Sequence, residues 1–399
     1  MAKKLGLEGF DAEGRRVLMR VDFNVPLDPD RNITDDTRIR AALPSVERIL
    51  AGGGSVVLMS HLGRPKGKID PAASLRPVAD RLADLVDAPV RFATDTVGPD
   101  ATAKAAALQP GQVLLLENLR FNPGETANDD GFARALAGLG DAYVNDAFGT
   151  AHRAHASTVG VTHHVGEARA GLLMEKELEH LGALLADPDR PFVAVLGGAK
   201  VAGKVEVILS LLDRVDTLLL GGGMIFTFFQ VLGLGIGKSL LDEESLEVVR
   251  RIQAKAKSSR ARLVLPEDCI VADQFAETAA RREVLVTDIP DQWMGLDIGP
   301  RTTARYAALL GGAKAIFWNG PMGVFELPSF AAGTRAVGEA VALATDRGAR
   351  SVVGGGDSVA AVNQLGLADR ISHISTGGGA SLEFMAGLEL PGVTALTDA

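Results

Sequence analysis

The chain has 399 residues and a single cysteine, Cys269, so no internal disulfide can form, which suits a reducing compartment. That thiol lies in a strand-like run between Asp268 and Ile270, where a buried inert cysteine is expected rather than a nucleophile. An excess of positive charge is also missing: 41 Lys and Arg against 50 Asp and Glu leave a net charge of −9. Nucleic acid is therefore not expected as a partner, and an anion site must be a local basic pocket in an acidic field. No low-complexity tract occurs, and 47% hydrophobic residues are ordinary for a globular protein. The start, MAKKLGLEGFDAEGRR, lacks the apolar core of a signal peptide, so a cytoplasmic protein is expected. No unbroken membrane span is present either. Thr217 to Gly237 is free of charge, but Gly221, Gly222 and Gly223 divide it into a strand, a turn and a helix from Met224 to Leu232.

What the sequence does contain is an alternation of short apolar runs with longer amphipathic ones, the pattern of parallel sheets with helical crossovers. The length exceeds what one core usually serves, so two domains are expected. Strands are predicted at Val17 to Phe23, Ser55 to Ser60, Val113 to Glu117 and Ala142 to Asn145 in the first half. The second half should hold strands at Phe192 to Leu196, Thr217 to Leu220, Arg262 to Leu265, Lys314 to Trp318, Arg350 to Val353 and Ile371 to Ile374. A helix from about Gly171, ended by Asp187 and Pro188, serves as the connector between lobes.

Glycine turns follow strands three times in the second half. After FVAVL comes GGAKVAGKVEV, where main-chain N–H groups, Lys200 and Lys204 suit a phosphate. The spacing satisfies GxxxxGK, yet Val205 stands where a P-loop needs Ser or Thr for Mg²⁺. GLGIGKS fails as a second P-loop, since Leu232 takes the place of its first glycine. After RSVVGG, Asp357 and Ser358 stand at a helix start; Asp357 is either an N-cap or a ligand for a metal–nucleotide complex. STGGGASLE supplies the third nest, at Thr376 to Gly379, with a helix from Gly377.

The first half carries the cations. RVDFNVP, TDDTRIR, SHLGRPKG, ENLRFNPGE and FGTAHRAHAS bring Arg38, His61, Arg64, Arg120 and Arg153, which converge if their strands share one sheet edge. Guanidinium forks match carboxylate and phosphate, and Asp22 and Asn24 could bind hydroxyls. His152, His155, His163 and His164 lack the Cys or carboxylate partners of a metal site.

These segments together resemble the phosphoglycerate kinase family. RVDFNVP, TRIRAALPS, SHLGRP, LENLRF, NDAFGTAHRAHAS, GGAKV, WNGPMGVFE, GGGDS and STGGGASLE lie in the family's order over nearly the whole chain. The resemblance implies reversible phosphoryl transfer between 1,3-bisphosphoglycerate with ADP and 3-phosphoglycerate with ATP, requiring Mg²⁺. It implies an α/β fold of two Rossmann-like lobes; with the connector helix as the boundary, residues 1–172 are expected to hold phosphoglycerate and 173–387 nucleotide, and the segment 388–399 is expected to pack back on the first lobe. By position, Asp22, Asn24, Arg38, His61, Arg64, Arg120 and Arg153 surround the phosphoglycerate. Lys200 and Lys204 meet nucleotide phosphates, Glu326 holds the ribose, and Gly295 and Val324 lie near adenine or ribose. Asp357 holds the metal with Gly355, Gly356 and Ser358 beside the phosphates, and Asn319 adjoins the transferring group. Ser358 stands where the family often has Thr, and Gly203 where it often has a charged or polar residue.

The acceptor is a carboxylate, ionised at neutral pH, so no general base is needed. Charge neutralisation is the requirement, and Arg38 and Lys204 are the catalytic candidates. Walls on separate lobes must approach for transfer, since reacting atoms need to lie within ~3.5 Å. A monomer without nucleic-acid or membrane partners is expected. Competing readings are an NAD-dependent oxidoreductase, which lacks its GxGxxG fingerprint here, and a non-catalytic anion-binding scaffold of the same fold.

Overall fold

The computed structural model describes residues 2–399 as two compact units. One comprises the residues up to Glu179 together with Glu389–Ala399, and the other spans His180–Leu388. The division falls inside the connector helix, Leu172–Ala186, rather than at 172/173. Its N-terminus belongs to the first unit: Leu172 N–H donates to Ser45 Oγ at 2.8 Å and Met174 N–H to Asp146 Oδ1 at 2.9 Å.

The first unit is built on six strands: β1 (Arg16–Val21), β2 (Ser55–Met59), β3 (Val90–Phe92), β4 (Val113–Leu115), β5 (Ala142–Asp146) and β6 (Ala168–Ala170). They form one parallel sheet in the order β3-β4-β2-β1-β5-β6. Its central strands are buried throughout, as a sheet covered on both faces requires. The helix Thr37–Ala51 turns Ile39, Ala42, Val46 and Ile49 onto it, at the spacing of one helix face. At the outer edge Thr397 N–H donates to the Ala168 carbonyl and Leu5 N–H to the Thr397 carbonyl, while Lys4 pairs with Asp398 at 2.7 Å. Both chain ends are thus woven into the rim beside β6.

The second unit contains β7 (Phe192–Leu196), β8 (Thr217–Leu220), β9 (Arg262–Val264), β10 (Asp268–Ala272), β11 (Arg281–Leu285), β12 (Met294–Ile298), β13 (Ala315–Asn319), β14 (Arg350–Gly354) and β15 (His373–Ile374). Six make a parallel sheet ordered β15-β14-β13-β7-β8-β9, and β11-β10-β12 form a separate antiparallel sheet that the sequence pattern does not announce. Trp318, Tyr306, Val341 and Val353 anchor the core, with Tyr306 Oη donating to the Leu220 carbonyl at 2.6 Å. The charge-free stretch from Thr217 resolves into β8, a glycine turn and the helix Ile225–Val231. Among the described residues no helix is long and apolar enough to cross a membrane. Cys269 is buried on β10, where burial and then Asp268 push its thiol up to about 12.

Candidate active site

In the first unit the candidate side chains leave the carboxyl ends of β1, β2, β4 and β5, which are neighbours in the sheet. Asp22 and Asn24 follow β1, His61 and Arg64 follow β2, Arg120 follows β4, and Arg153 follows β5. Arg38, on the first turn of Thr37–Ala51, donates from Nη1 to Asp22 Oδ2 at 2.5 Å. The Asn24 amide oxygen accepts from Gly63 N–H at 2.9 Å, and Arg120 Nη1 donates to the Gly63 carbonyl at 2.7 Å. The turn that carries Arg64 is therefore locked to its neighbours while Arg64 itself stays exposed. Arg153 is exposed and donates from Nε to His152 Nε2 at 3.0 Å.

Burial and, after it, neighbouring cations disfavour the charged forms of two of these groups. Burial, then Arg20 and Arg153, bring the Arg120 guanidinium down to about 10, so it keeps its charge at neutral pH. His61 is held well below its ordinary value by burial and by Arg20, Arg120 and Arg38. A neutral imidazole cannot add to the positive field. Arg20, buried within β1, is a participant that sequence reasoning missed. An arginine inside an apolar strand carries no pattern of its own.

In the second unit the chain runs from β7 outward to β9, then returns to the other side with β13, so the sheet order switches between β7 and β13. Ligands of open α/β sheets bind at such a point. The turns there nearly touch: Gly197 N–H donates to the Asn319 carbonyl at 2.9 Å, and a Cβ on Gly320 would lie 2.2 Å from the Gly197 oxygen. Only paired glycines allow that approach. Lys204 Nζ donates to Asn319 Oδ1 at 2.6 Å, and the other end of that amide, Asn319 Nδ2, is buried without a partner. Ser358 Oγ accepts from Gly320 N–H.

The glycine turn does not open its helix directly. A short 3₁₀ turn, Ala202–Lys204, intervenes, so Lys204 stands at the residue before Val205–Leu211 with its side chain directed to Asn319, and Lys200 remains exposed in the loop. Asp357 likewise is not an N-cap, because Gly355 holds that position and Asp357 lies in the first turn of Gly356–Gln364. The last helix of this unit begins at Gly379 rather than Gly377.

Beside these groups lies a cavity of about 630 Å³ whose walls include Gly295, Val324, Glu326 and Asp357. Lys200, Lys204, Asn319, Gly355, Gly356 and Ser358 are not on its walls; Lys204, Asn319 and Ser358 meet at the β7 and β13 turns. A Cβ on Gly295 would meet Phe226 Cζ at 2.1 Å, so the aromatic ring needs the missing side chain. Phe226, Leu240, Phe275 and Leu296 also line the cavity, and none was anticipated. The family model for phosphoglycerate kinase matches residues 7–388. This chain belongs to the phosphoglycerate kinase family.

The phosphoglycerate kinase of Chlorobaculum tepidum is 56% identical over 396 residues, 99% of this chain and all of that protein. That of Acaryochloris marina is 55% identical over the full length of both. The solved phosphoglycerate kinase of Coxiella burnetii matches with a TM-score of 0.86 at 42% identity, covering 98% of each chain. That of Pyrococcus horikoshii gives 0.86 at 34% identity and 98% coverage. As a phosphoglycerate kinase the chain transfers a phosphoryl group reversibly between 1,3-bisphosphoglycerate with ADP and 3-phosphoglycerate with ATP, and an oxidoreductase is not favoured.

Asp297 is a further wall of the cavity that the sequence did not mark. Its carboxylate accepts from Ile298 N–H at 2.9 Å and Gly333 N–H at 2.8 Å, yet burial outweighs both and raises it to about 7. The folded state therefore holds a proton that the unfolded chain releases near pH 4. The resulting stability is complete below about pH 4 and lost as pH rises through about 7. Melting temperatures measured across that window should fall with pH in the wild type and fall less in Asp297→Asn.

Proposed function

We propose that the first unit binds phosphoglycerate through Arg38, His61, Arg64, Arg120 and Arg153, with Asp22 and Asn24 receiving its hydroxyl or orienting the cations. The second unit binds the nucleotide, with base and ribose in the cavity against Gly295, Val324 and Glu326 and phosphates along Lys200, Lys204, Gly355, Gly356 and Ser358. The observation that carries this reading is the placement of the two residue sets. The arginines, and the lysine beside its glycine turns, are each gathered at the carboxyl edge of a parallel sheet, while Gly295, on β12 of the antiparallel sheet, lines the neighbouring cavity.

Charge stabilisation is the chemistry this arrangement offers. Arg38 balances the reacting carboxylate and phosphoryl, and Lys204 accompanies the phosphoryl, held in aim by Asn319. The unpaired Asn319 Nδ2–H is a further donor for a phosphate oxygen. No side chain has to accept a proton.

Asp357 is exposed at the cavity, and among the described residues no group of three or more His, Cys, Asp or Glu could hold a metal by itself. One carboxylate suits Mg²⁺, which takes its remaining ligands from phosphate oxygens and water. The ion would supply charge neutralisation between the phosphates. We place the enzyme in the cytoplasm, where a lone buried thiol stays reduced, and read it as a monomer, since one chain supplies both residue sets.

A coupled assay of ATP formation from 1,3-bisphosphoglycerate and ADP tests this reading. Turnover should require added Mg²⁺, and undiminished activity in a chelator refutes the role of Asp357. Arg64→Ala separates binding from chemistry. Its side chain is exposed on a locked turn, so KM for 3-phosphoglycerate should rise more than kcat falls. An unchanged KM removes Arg64 from the site.

A further inference from the structure

Every hydrogen bond around the buried Arg20 has a fixed direction. Glu125 is fully buried; desolvation alone would raise it, but His155, Arg20 and Ser157 outweigh burial and keep it ionised. A carboxylate only accepts, and it takes the Ser157 hydroxyl proton at 2.7 Å and the Ser157 N–H at 3.1 Å. With its one proton committed, Ser157 Oγ must accept, and Arg20 Nε donates to it at 2.8 Å. Arg20 Nη1 donates to the Val21 carbonyl. Nη2 then faces His61 Nδ1 at 3.2 Å.

A guanidinium has no acceptor atom, so the contact exists only if His61 Nδ1 carries a lone pair. We infer that Arg20 is a positioning residue that fixes His61 as the neutral tautomer with its proton on Nε2, making the imidazole a hydrogen-bond donor in the phosphoglycerate site. The other groups around the ring are compatible with this. Asp22 Oδ1 lies 3.8 Å from Nδ1, too far to accept a proton from it, and Arg38, Arg120 and His155 all oppose a positive ring. The role of Arg20 differs from that of Arg38 and Arg120. Its charge is spent inside the protein, through Ser157, Val21 and His61, and the benefit appears at a neighbour's far nitrogen.

This inference rests on His61 contacting the substrate, but its test does not. Two-bond proton–nitrogen spectra of the full-length ¹⁵N-labelled enzyme, with His61→Gln for assignment, distinguish protonated from unprotonated ring nitrogens. In the ligand-free wild type at neutral pH His61 should show a bare Nδ1 and a protonated Nε2. Arg20→Met, which keeps the bulk and removes every donor, should give a mixture of tautomers. Should that variant fail to fold, Ser157→Ala serves instead: it frees Arg20 Nε from its anchor and should let the second tautomer appear. A wild-type His61 protonated on Nδ1 overturns the inference, as does a His61 spectrum unaltered in a folded variant. Failure of the substrate contact shows separately, as an unchanged KM for 3-phosphoglycerate in His61→Gln.

Discussion

Arg38→Ala is expected to lower kcat by about 10²-fold or more, the scale of losing one donor to a transition-state charge. The structure gives the substitution a second consequence. Arg38 is the partner of Asp22, whose carboxylate is only 8% exposed, so removing the guanidinium also leaves a buried negative charge in the proposed anion site. KM for phosphoglycerate should therefore rise together with the fall in kcat. Asp22→Asn placed on Arg38→Ala separates the two effects: KM should recover in part while kcat stays low. Steady-state kinetics in both directions of the reaction make the measurement. A kcat near that of the wild type in Arg38→Ala would falsify its catalytic role.

Lys204→Ala should cost a similar factor, about 10² in kcat, equivalent to about 2.7 kcal/mol of transition-state stabilisation. Here pH supplies an independent check. Burial lowers the Lys204 ammonium to about 8, against the opposing pull of Asp357. A lysine lowered in this way loses its charge as pH rises through that value, so kcat/KM for the nucleotide should decline above about pH 8. Polyphosphate bound beside the ammonium favours its charged form, and the limb should move to higher pH in kcat. Lys204→Arg keeps the charge, and its kcat/KM should be lower overall but flat across this range. A wild-type profile with no decline above pH 8 contradicts the assigned role of Lys204.

What could be read from the sequence follows the strength of local signals. β7 and β8 match their predicted ranges because FVAVL and TLLL are unbroken apolar runs ended by turns. β3 and β6 were not anticipated: three residues with Arg at the centre, VRF and ARA, carry no strand signal, and pairing with β4 and β5 creates them. β11 is largely exposed and reads RREVL, so only its antiparallel partner reveals it. The site divides in the same way. Residues on loops after strands, such as Asp22, Arg120 and Asp357, stand out as motifs. Phe226, Phe275 and Asp297 come from a helix, a loop and a strand far apart in sequence, and only the folded chain gathers them around a cavity. Arg20 is the limiting case, since its burial depends on Ser157 and Glu125.

The rim beside β6 sets an order on biosynthesis. Thr397 and Asp398 complete the edge of a unit whose other strands leave the ribosome early, with all of His180–Leu388 translated in between. The edge of the first unit is thus closed by residues that follow the whole of the second unit in sequence, so that edge depends on a contact made across His180–Leu388 even where domains generally fold N-terminal first. A permuted chain in which residues 389–399 directly precede the strands of the first unit would turn that distant contact into a local one, and the first unit should then refold faster.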